Sequence, residues 1–197
     1  SMTVADALAN PRRDTGRIVL PPASYAHEQE KIRERWPAAV EFVKQRKLNE
    51  VFDGELEDIG VILQGGMYNG VIQALSKMGL ADAYGKSRVP LYVMNVTYPL
   101  VDEEIVQFCA GKRSVLIVEE GQPAYLEQAL HAILRKADLQ TIVHGKDDLP
   151  PAGEYTAAAM SAGFQSFVKR YHPTLVTAPV SHNNPAERVL PKLNVTV

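Results

Sequence analysis

The chain has 197 residues and a net charge of −2, with 46% hydrophobic and 22% charged residues. This length accommodates one domain with terminal extensions, and the composition is globular, which excludes a fibre or a fully disordered chain. The near-neutral charge provides no global basic field, so we expect neither nucleic acid nor a membrane as a partner. A single cysteine excludes disulfides, Cys-rich zinc sites and cysteine-ligated iron–sulfur clusters within this chain.

The two ends differ in composition from the middle. Residues 1–23 combine prolines and charges in the manner of an extended arm, and residues 172–197 hold prolines at six-residue intervals, which predicts an extended tail. Residues 24–171 are expected to form an α/β domain. The sequence shows no run of the ~20 apolar residues that a membrane helix needs and no secretory signal, which predicts a cytoplasmic protein.

Helices and strands alternate along the middle segment. Ser24 is expected to cap a helix that ends near Trp36, and Pro37 either kinks this helix or begins a second one that ends near Lys47. Trp36 is expected on the apolar side of this region. Short apolar runs predict strands, and residues with helical spacing follow each of them. The strands are expected at residues 60–63, 90–96, 114–118 and 139–143, and the helices that follow at about 67–78, 102–108, 123–136 and 156–169. Asp102 is expected to cap the second of these helices.

Strands separated by helices predict right-handed crossovers and a mostly parallel sheet with helices on both faces. The expected class is a three-layer α/β domain. Ligands of such sheets bind beyond the carboxyl ends of the strands. The residues at these ends are 64–69, 95–99, 119–122 and 144–146.

The first strand ends in a glycine-containing turn, Gln64-Gly65-Gly66-Met67-Tyr68-Asn69-Gly70, which opens a helix. Backbone N–H groups and the helix dipole can receive an anion at such a turn. The segment matches neither G-x-G-x-x-G nor a P-loop. A tight turn with close packing is therefore the favoured interpretation.

Three further strand ends carry polar groups. Glu119 and Glu120 can build an acid, a base or a cation site, or one carboxylate turns inward to bond backbone or a cationic neighbour while the other is solvated. Thr97 and Tyr98 offer two hydroxyls, although a proline-containing turn explains them equally well. His144 is the one histidine with a site-like position, and no metal-binding histidine spacing is present.

An ordered set of motifs resembles a known family. The set comprises Tyr25-Ala-His27-Glu28, the segment from Ile59 through Gly65-Gly66 to Tyr68, Val96-Thr97-Tyr98-Pro99-Leu100, the segment from Leu116 to Gly121, and His144-Gly145-Lys146. It resembles the large subunit of indolepyruvate ferredoxin oxidoreductase, within the thiamine-diphosphate-dependent 2-oxoacid:ferredoxin oxidoreductases. The matching stretch looks like the middle domain, which is similar to the C-terminal domain of transketolase.

The resemblance implies oxidative decarboxylation of an aryl-pyruvate such as indolepyruvate, with coenzyme A taking the acyl group and ferredoxin the electrons. It implies thiamine diphosphate with magnesium, and iron–sulfur clusters, in the full enzyme. This chain lacks the Gly-Asp-Gly…Asn pattern that holds the diphosphate through magnesium, and it lacks the cysteine clusters. The resemblance therefore implies one part of an enzyme, and no catalytic residue is carried over.

We accordingly expect a non-catalytic assembly and positioning domain. Its partners would be other domains or subunits of the same oxidoreductase, ferredoxin through the full enzyme, and as a further candidate a second copy of the chain. The strand-end rim would face neighbouring domains or an anionic group of coenzyme A. This rim consists of Gly65, Gly66, Tyr68, Asn69, Thr97, Tyr98, Glu119, Glu120 and His144.

Two alternatives stay open. One is a self-sufficient small-molecule, coenzyme A or nucleotide-binding α/β protein that uses the Gly65-Gly66 turn. The other is an interaction module without a ligand site.

Overall fold

The described residues, 20–175 together with Ala9, contain five strands in this computed structural model. The strands are β1 (Glu50–Phe52), β2 (Ile59–Gln64), β3 (Leu91–Met94), β4 (Ser114–Val118) and β5 (Ile142–His144). They form one sheet in the order β1-β3-β2-β4-β5. β2 runs parallel to β3 and β4, and β4 runs parallel to β5, whereas β1 pairs with β3 in the antiparallel sense.

Helices cover both faces of the sheet. They are α1 (Ala23–Glu30), which continues through a π-helical segment (Lys31–Arg35) into α2 (Trp36–Gln45), then α3 (Tyr68–Lys77), α4 (Asp102–Cys109), α5 (Tyr125–Lys136) and α6 (Ala157–Tyr171). α3 and α6 pack together on one face, and α4 and α5 pack on the other. The predicted three-layer, mostly parallel α/β class is confirmed.

The central strands are apolar because both of their faces are covered. Val61 and Leu63 of β2 belong to the core under α3 and α6, and Ile62 between them belongs to the core under α4 and α5. All five residues of β4 are buried. Strands enclosed in this way appear in the sequence as continuous apolar runs, which is why the sequence predicts them.

Three local expectations are wrong. β1 is absent from the predicted elements, because its three residues are all exposed and show no apolar period. Ser24 does not cap α1, because the helix begins one residue earlier, at Ala23, and Ser24 lies inside its first turn. Asp102 is the first residue of α4 and makes no cap hydrogen bond.

Other local expectations agree with the structure. Pro37 lies in the first turn of α2, directly after the π-helical segment. The helix predicted at about 156–169 corresponds to α6, and the Thr156 side chain caps it by accepting from the N–H of Ala159. Except for residues 20–23 and 172–175, the predicted arm and tail lie outside the described residues. Within the described part, no helix is long and apolar enough to cross a membrane.

Gly163 tests how closely α6 packs on the loop before it. A Cβ at this position would lie 2.5 Å from the carbonyl oxygen of Asp148. Although alanine favours helix, we expect Gly163→Ala to lower the free energy of unfolding by about 2 kcal/mol because of this overlap. The melting temperature should then fall by about 4–8 °C.

Gly70→Ala in α3 is the matched control. Its added Cβ would meet Cε of Met160 at 3.0 Å, and that methyl is the free end of a flexible side chain. Helix propensity should then leave the stability unchanged or raise it by up to about 1 kcal/mol. Thermal unfolding followed by circular dichroism measures both variants, and stabilisation by both would contradict the close contact at Gly163.

Candidate functional site

The turn after β2 brings Gly65 against the end of β3. Residues Gly65–Met67 form a single 3-10 turn that leads into α3. A Cβ on Gly65 would overlap Oδ1 of Asn95, whereas Gly66 has open space around it. Asn95 in turn donates to the carbonyl oxygen of Leu48 at 2.8 Å. The glycine at position 65 is therefore required by packing.

Glu119 ends β4 with a carboxylate that points into the protein. The residue is only 6% exposed. Its Oε1 and Oε2 accept from the N–H of Leu126 at 3.0 and 3.1 Å, and Oε2 also accepts from the N–H of Glu127 at 3.2 Å. These N–H groups belong to the first turn of α5, where helices leave donors unpaired and favour negative charge. Glu119 thus fixes the beginning of α5 to the end of β4.

Glu120 is exposed but also binds backbone. Its Oε2 accepts from the N–H of Tyr155 at 2.7 Å, and its own N–H donates to Oε1 of Gln64 at 3.3 Å. Nζ of Lys146 contacts the carbonyl oxygen of Glu119 and lies 2.9 Å from the hydroxyl oxygen of Tyr155. Both carboxylates therefore connect backbone segments at this edge of the sheet.

His144 lies in a separate polar cluster under the end of α6. Its Nδ1 is 2.6 Å from Oδ2 of Asp147, and its Nε2 is 3.0 Å from the hydroxyl oxygen of Tyr171. The guanidinium of Arg170 makes two 2.8 Å bonds to Asp148, and this pairing raises the pKa of Arg170. His144, Asp147 and Asp148 are close enough to surround a cation. Arg170 already supplies the positive charge there.

An open cleft of about 760 Å³ lies at the carboxyl ends of β2, β3 and β4, beside α5. Trp36 and Tyr98 form one wall, and their rings meet edge to face with centroids 4.9 Å apart. The lining residues are Trp36, Gln64, Thr97, Tyr98, Leu100, Asp102, Glu119, Tyr125, Leu126, Ala129, Ala132, Ile133 and Lys136.

The structure brings together only part of the predicted rim. Thr97, Tyr98 and Glu119 line the cleft. The remaining residues, Gly65, Gly66, Tyr68, Asn69, Glu120 and His144, are not among its lining residues. The ring of Tyr68 packs on Phe52 of β1, with centroids 5.6 Å apart.

Sequence reasoning missed two aromatic residues of the cleft. Trp36 is predicted to lie on the apolar side of a helix, which is correct, but that side partly faces the cleft. Tyr125 begins α5, and Ala129 and Ala132 continue the same wall at helical spacing. The 3–4-residue spacing along α5 is the only signal that could have indicated this wall.

Comparison with known proteins identifies the family. Residues 48–161 match the family model of the indolepyruvate ferredoxin oxidoreductase middle domain. The chain belongs to this family. The indolepyruvate oxidoreductase subunit IorA of Methanothermobacter thermautotrophicus is 32% identical over 147 residues, which is 73% of this chain. The corresponding subunit of Methanothermobacter marburgensis is 30% identical over 148 residues, which is 74% of this chain.

The middle-domain family members that match are much longer than this chain. The chain spans 22% and 23% of the two IorA subunits. A solved 2-oxoglutarate:ferredoxin oxidoreductase from Magnetococcus marinus, with 2-oxoglutarate, coenzyme A and succinyl-CoA bound, shares the fold. Its TM-score is 0.51 at 17% identity, over 74% of this chain and 23% of that chain. The resemblance found in the sequence is confirmed.

Glu119 allows a test of the connection between β4 and α5. Glu119→Ala leaves the N–H groups of Leu126 and Glu127 without their acceptor. We expect the free energy of unfolding to fall by about 2–3 kcal/mol. Glu119→Gln keeps one acceptor oxygen and should lose about half as much.

Urea denaturation of the chain measures this effect, with Glu154→Ala as the control. Glu154 is exposed, and its side chain makes no hydrogen bond within the described residues. The control should change stability by less than about 0.5 kcal/mol. A Glu119→Ala variant as stable as this control would show that Glu119 does not hold α5.

Asp147 predicts a pH dependence of stability. Burial raises its pKa, but hydrogen bonds from the Gly145 N–H and from His144 outweigh burial, so the pKa lies below its ordinary value. A carboxylate with a lowered folded pKa stabilises the protein above its unfolded pKa of about 4, and this contribution is lost as the pH falls through the folded pKa.

The Asp147→Asn variant removes this contribution. The stability difference between the parent chain and Asp147→Asn should shrink as the pH falls from about 5 toward about 3. Urea denaturation across this range measures it. A difference that does not change with pH would contradict the assigned role of the carboxylate.

Proposed function

We propose that this chain is a non-catalytic domain that supports assembly and positions the other domains of an indolepyruvate ferredoxin oxidoreductase. The full enzyme would oxidatively decarboxylate an aryl-pyruvate, pass the acyl group to coenzyme A and pass the electrons to ferredoxin. Membership of the middle-domain family and the small share of the IorA relatives that the chain spans support this proposal. The partners would be other domains or subunits of that enzyme.

The observation that carries the proposal is the engagement of the polar groups at the strand ends. A general acid or base must reach a substrate proton within about 2.6–3.2 Å. The carboxylate of Glu119 is buried against α5, and that of Glu120 accepts from the N–H of Tyr155. Among the described residues, no buried side-chain polar atom lacks a hydrogen-bond partner. The hydrogen bonds of these two carboxylates support the fold, which favours a structural role for them.

The redox groups that the family implies do not fit the residues of this chain. An iron–sulfur cluster takes several cysteine ligands. Cys109 is the single cysteine of the sequence, and burial in the core raises the pKa of its thiol to about 12. A magnesium ion that holds a diphosphate takes carboxylate oxygens, and those of Glu119 and Glu120 accept from backbone N–H groups. In our proposal, thiamine diphosphate and the clusters belong to other parts of the enzyme.

The alternative function is a free-standing binder of a small molecule, coenzyme A or a nucleotide. The volume of the cleft and its aromatic wall favour this alternative, because small-molecule sites are concave and mostly apolar. The glycine turn does not favour it, since packing against Asn95 accounts for Gly65.

The proposed function predicts that the chain alone is inactive. We expect no oxidation of indolepyruvate by the chain with thiamine diphosphate, magnesium, coenzyme A and ferredoxin, whereas the full-length enzyme turns over. In the full-length enzyme, Glu120→Gln keeps an acceptor for Tyr155 but cannot ionise. Its kcat should stay within about twofold, whereas loss of a general acid or base lowers rates by about 10²–10⁴-fold.

Three outcomes would contradict the proposed function. Turnover by the isolated chain would show that the domain is catalytic. A fall of kcat by 10²-fold or more in Glu120→Gln, with the assembly intact by size-exclusion chromatography, would place this carboxylate in the chemistry. Stoichiometric heat on titration of the chain with coenzyme A, ATP or NAD would favour the free-standing binder.

A further inference from the structure

The first helical stretch extends from the domain without burying a side chain. Among the described residues of α1 and the π-helical segment, none is buried. Most of the stability of a helix in a protein comes from packing of its amphipathic face rather than from helix propensity. This stretch therefore needs a contact surface beyond those that the described residues provide.

One face of the stretch is apolar and continues a face that is already packed. Ile32, Trp36, Val40 and Val43 follow one another at helical spacing of four, four and three residues. Val43 is buried at the domain end of α2, whereas Ile32 is 55% exposed. Tyr25, seven residues before Ile32, is also exposed. The apolar stripe thus begins on the domain and extends past its edge.

The stripe continues into the wall of the cleft. Trp36 is partly exposed and packs its ring against the edge of Tyr98. Tyr98 is 78% exposed, and Tyr125 contributes a further exposed ring to the same cleft. A contiguous exposed apolar surface of this kind marks an interaction site. Aromatic residues are also the side chains most enriched in protein interfaces.

α2 holds the stripe in a fixed position relative to the cleft. Nζ of Lys44 forms an ion pair with the carboxylate of Glu103 on α4. Together with Val43 and the contact between Trp36 and Tyr98, this ion pair attaches α2 to the body of the domain. The exposed surface therefore has a defined shape before a partner arrives, which lowers the cost of binding.

We propose a surface on which another domain of the same polypeptide packs. It consists of the exposed part of the stripe, Ile32 and Trp36, with Tyr25 before it and with Tyr98 and Tyr125 of the cleft. The inference rests on the proposed function, because it names the surface through which a positioning domain acts. The occupant is a domain of the same polypeptide because the IorA relatives are more than four times as long as the part that this chain spans.

The position of the stripe relative to the family match agrees with this occupant. The match begins at residue 48, so α1 and α2 lie outside it. Interfaces between domains of one chain bury about 600–1,500 Å². A helix face of this length combined with an aromatic cleft provides an extended surface of the required kind. The partner surface must present apolar side chains to Ile32 and Trp36.

Photo-crosslinking in the full-length enzyme tests the proposal. Benzoylphenylalanine replaces Ile32 on the apolar face in one variant, and Glu34 on the opposite face of the same helical stretch in the control. The Ile32 variant should give intramolecular crosslinks to a domain outside these 197 residues. The Glu34 variant should give little product. Mass spectrometry maps the crosslinked peptides.

Several outcomes would overturn the inference. They are equal yields from the two positions, crosslinks from position 32 into residues 1–19 or 176–197 of this chain, and crosslinks between two polypeptides. Equal yields would show that the apolar face is not the contact face. The other two results would assign the surface to a different occupant, which the crosslinked peptides identify.

Hydrogen exchange gives a readout that does not depend on the inserted side chain. Amides of residues 24–36 should exchange at least about tenfold more slowly in the full-length enzyme than in the isolated chain. Equal exchange in both would overturn the inference. If the isolated chain turned over substrate, the proposed function would fail whatever the crosslinks show. If only the full enzyme turned over and the stripe stayed unprotected, this inference alone would fail.

Discussion

The carboxylate of Glu119 fixes the geometry of the strand-end surface. Burial of an ionised carboxylate costs several kcal/mol unless it is paired and hydrogen-bonded. Here the N–H groups of Leu126 and Glu127, with the dipole of α5 behind them, offset that cost. β4 lies between β2 and β5, so Glu119 attaches α5 to an interior strand of the sheet. Together with the buried apolar face of α5, this contact sets the position of the α5 wall of the cleft.

The sequence predicts the parallel sheet well because its central strands are covered on both faces. The side chains of β2 and β4 form continuous apolar runs, and such runs are typical of strands that are buried on both faces. The sequence does not predict β1, because Glu50, Val51 and Phe52 are all exposed and the strand forms by pairing with β3. Pairing across the sheet is a tertiary contact, and a local pattern of three residues carries no information about it.

The sequence predicts where the candidate site lies, but it does not predict what the residues of the site do. The rule that parallel strands end at one edge correctly brings Thr97, Tyr98 and Glu119 to one cleft. A pair of glutamates at a strand end fits both proton transfer and backbone capping, and only the distances to Leu126 and Tyr155 distinguish them. Trp36 reaches the cleft through its contact with Tyr98, which depends on how α2 packs.

The topology of this fold by itself produces a concave, polar edge. Chain reversals at the carboxyl ends of parallel strands place helix N-termini there, and these need acceptors. In this domain Glu119 and Glu120 accept hydrogen bonds from backbone N–H groups, so both carboxylates stabilise the fold. The cleft wall also presents the exposed rings of Trp36, Tyr98 and Tyr125, which provide contact area and desolvation. In our proposal, the same topology that gives related folds their active sites provides a binding surface between domains.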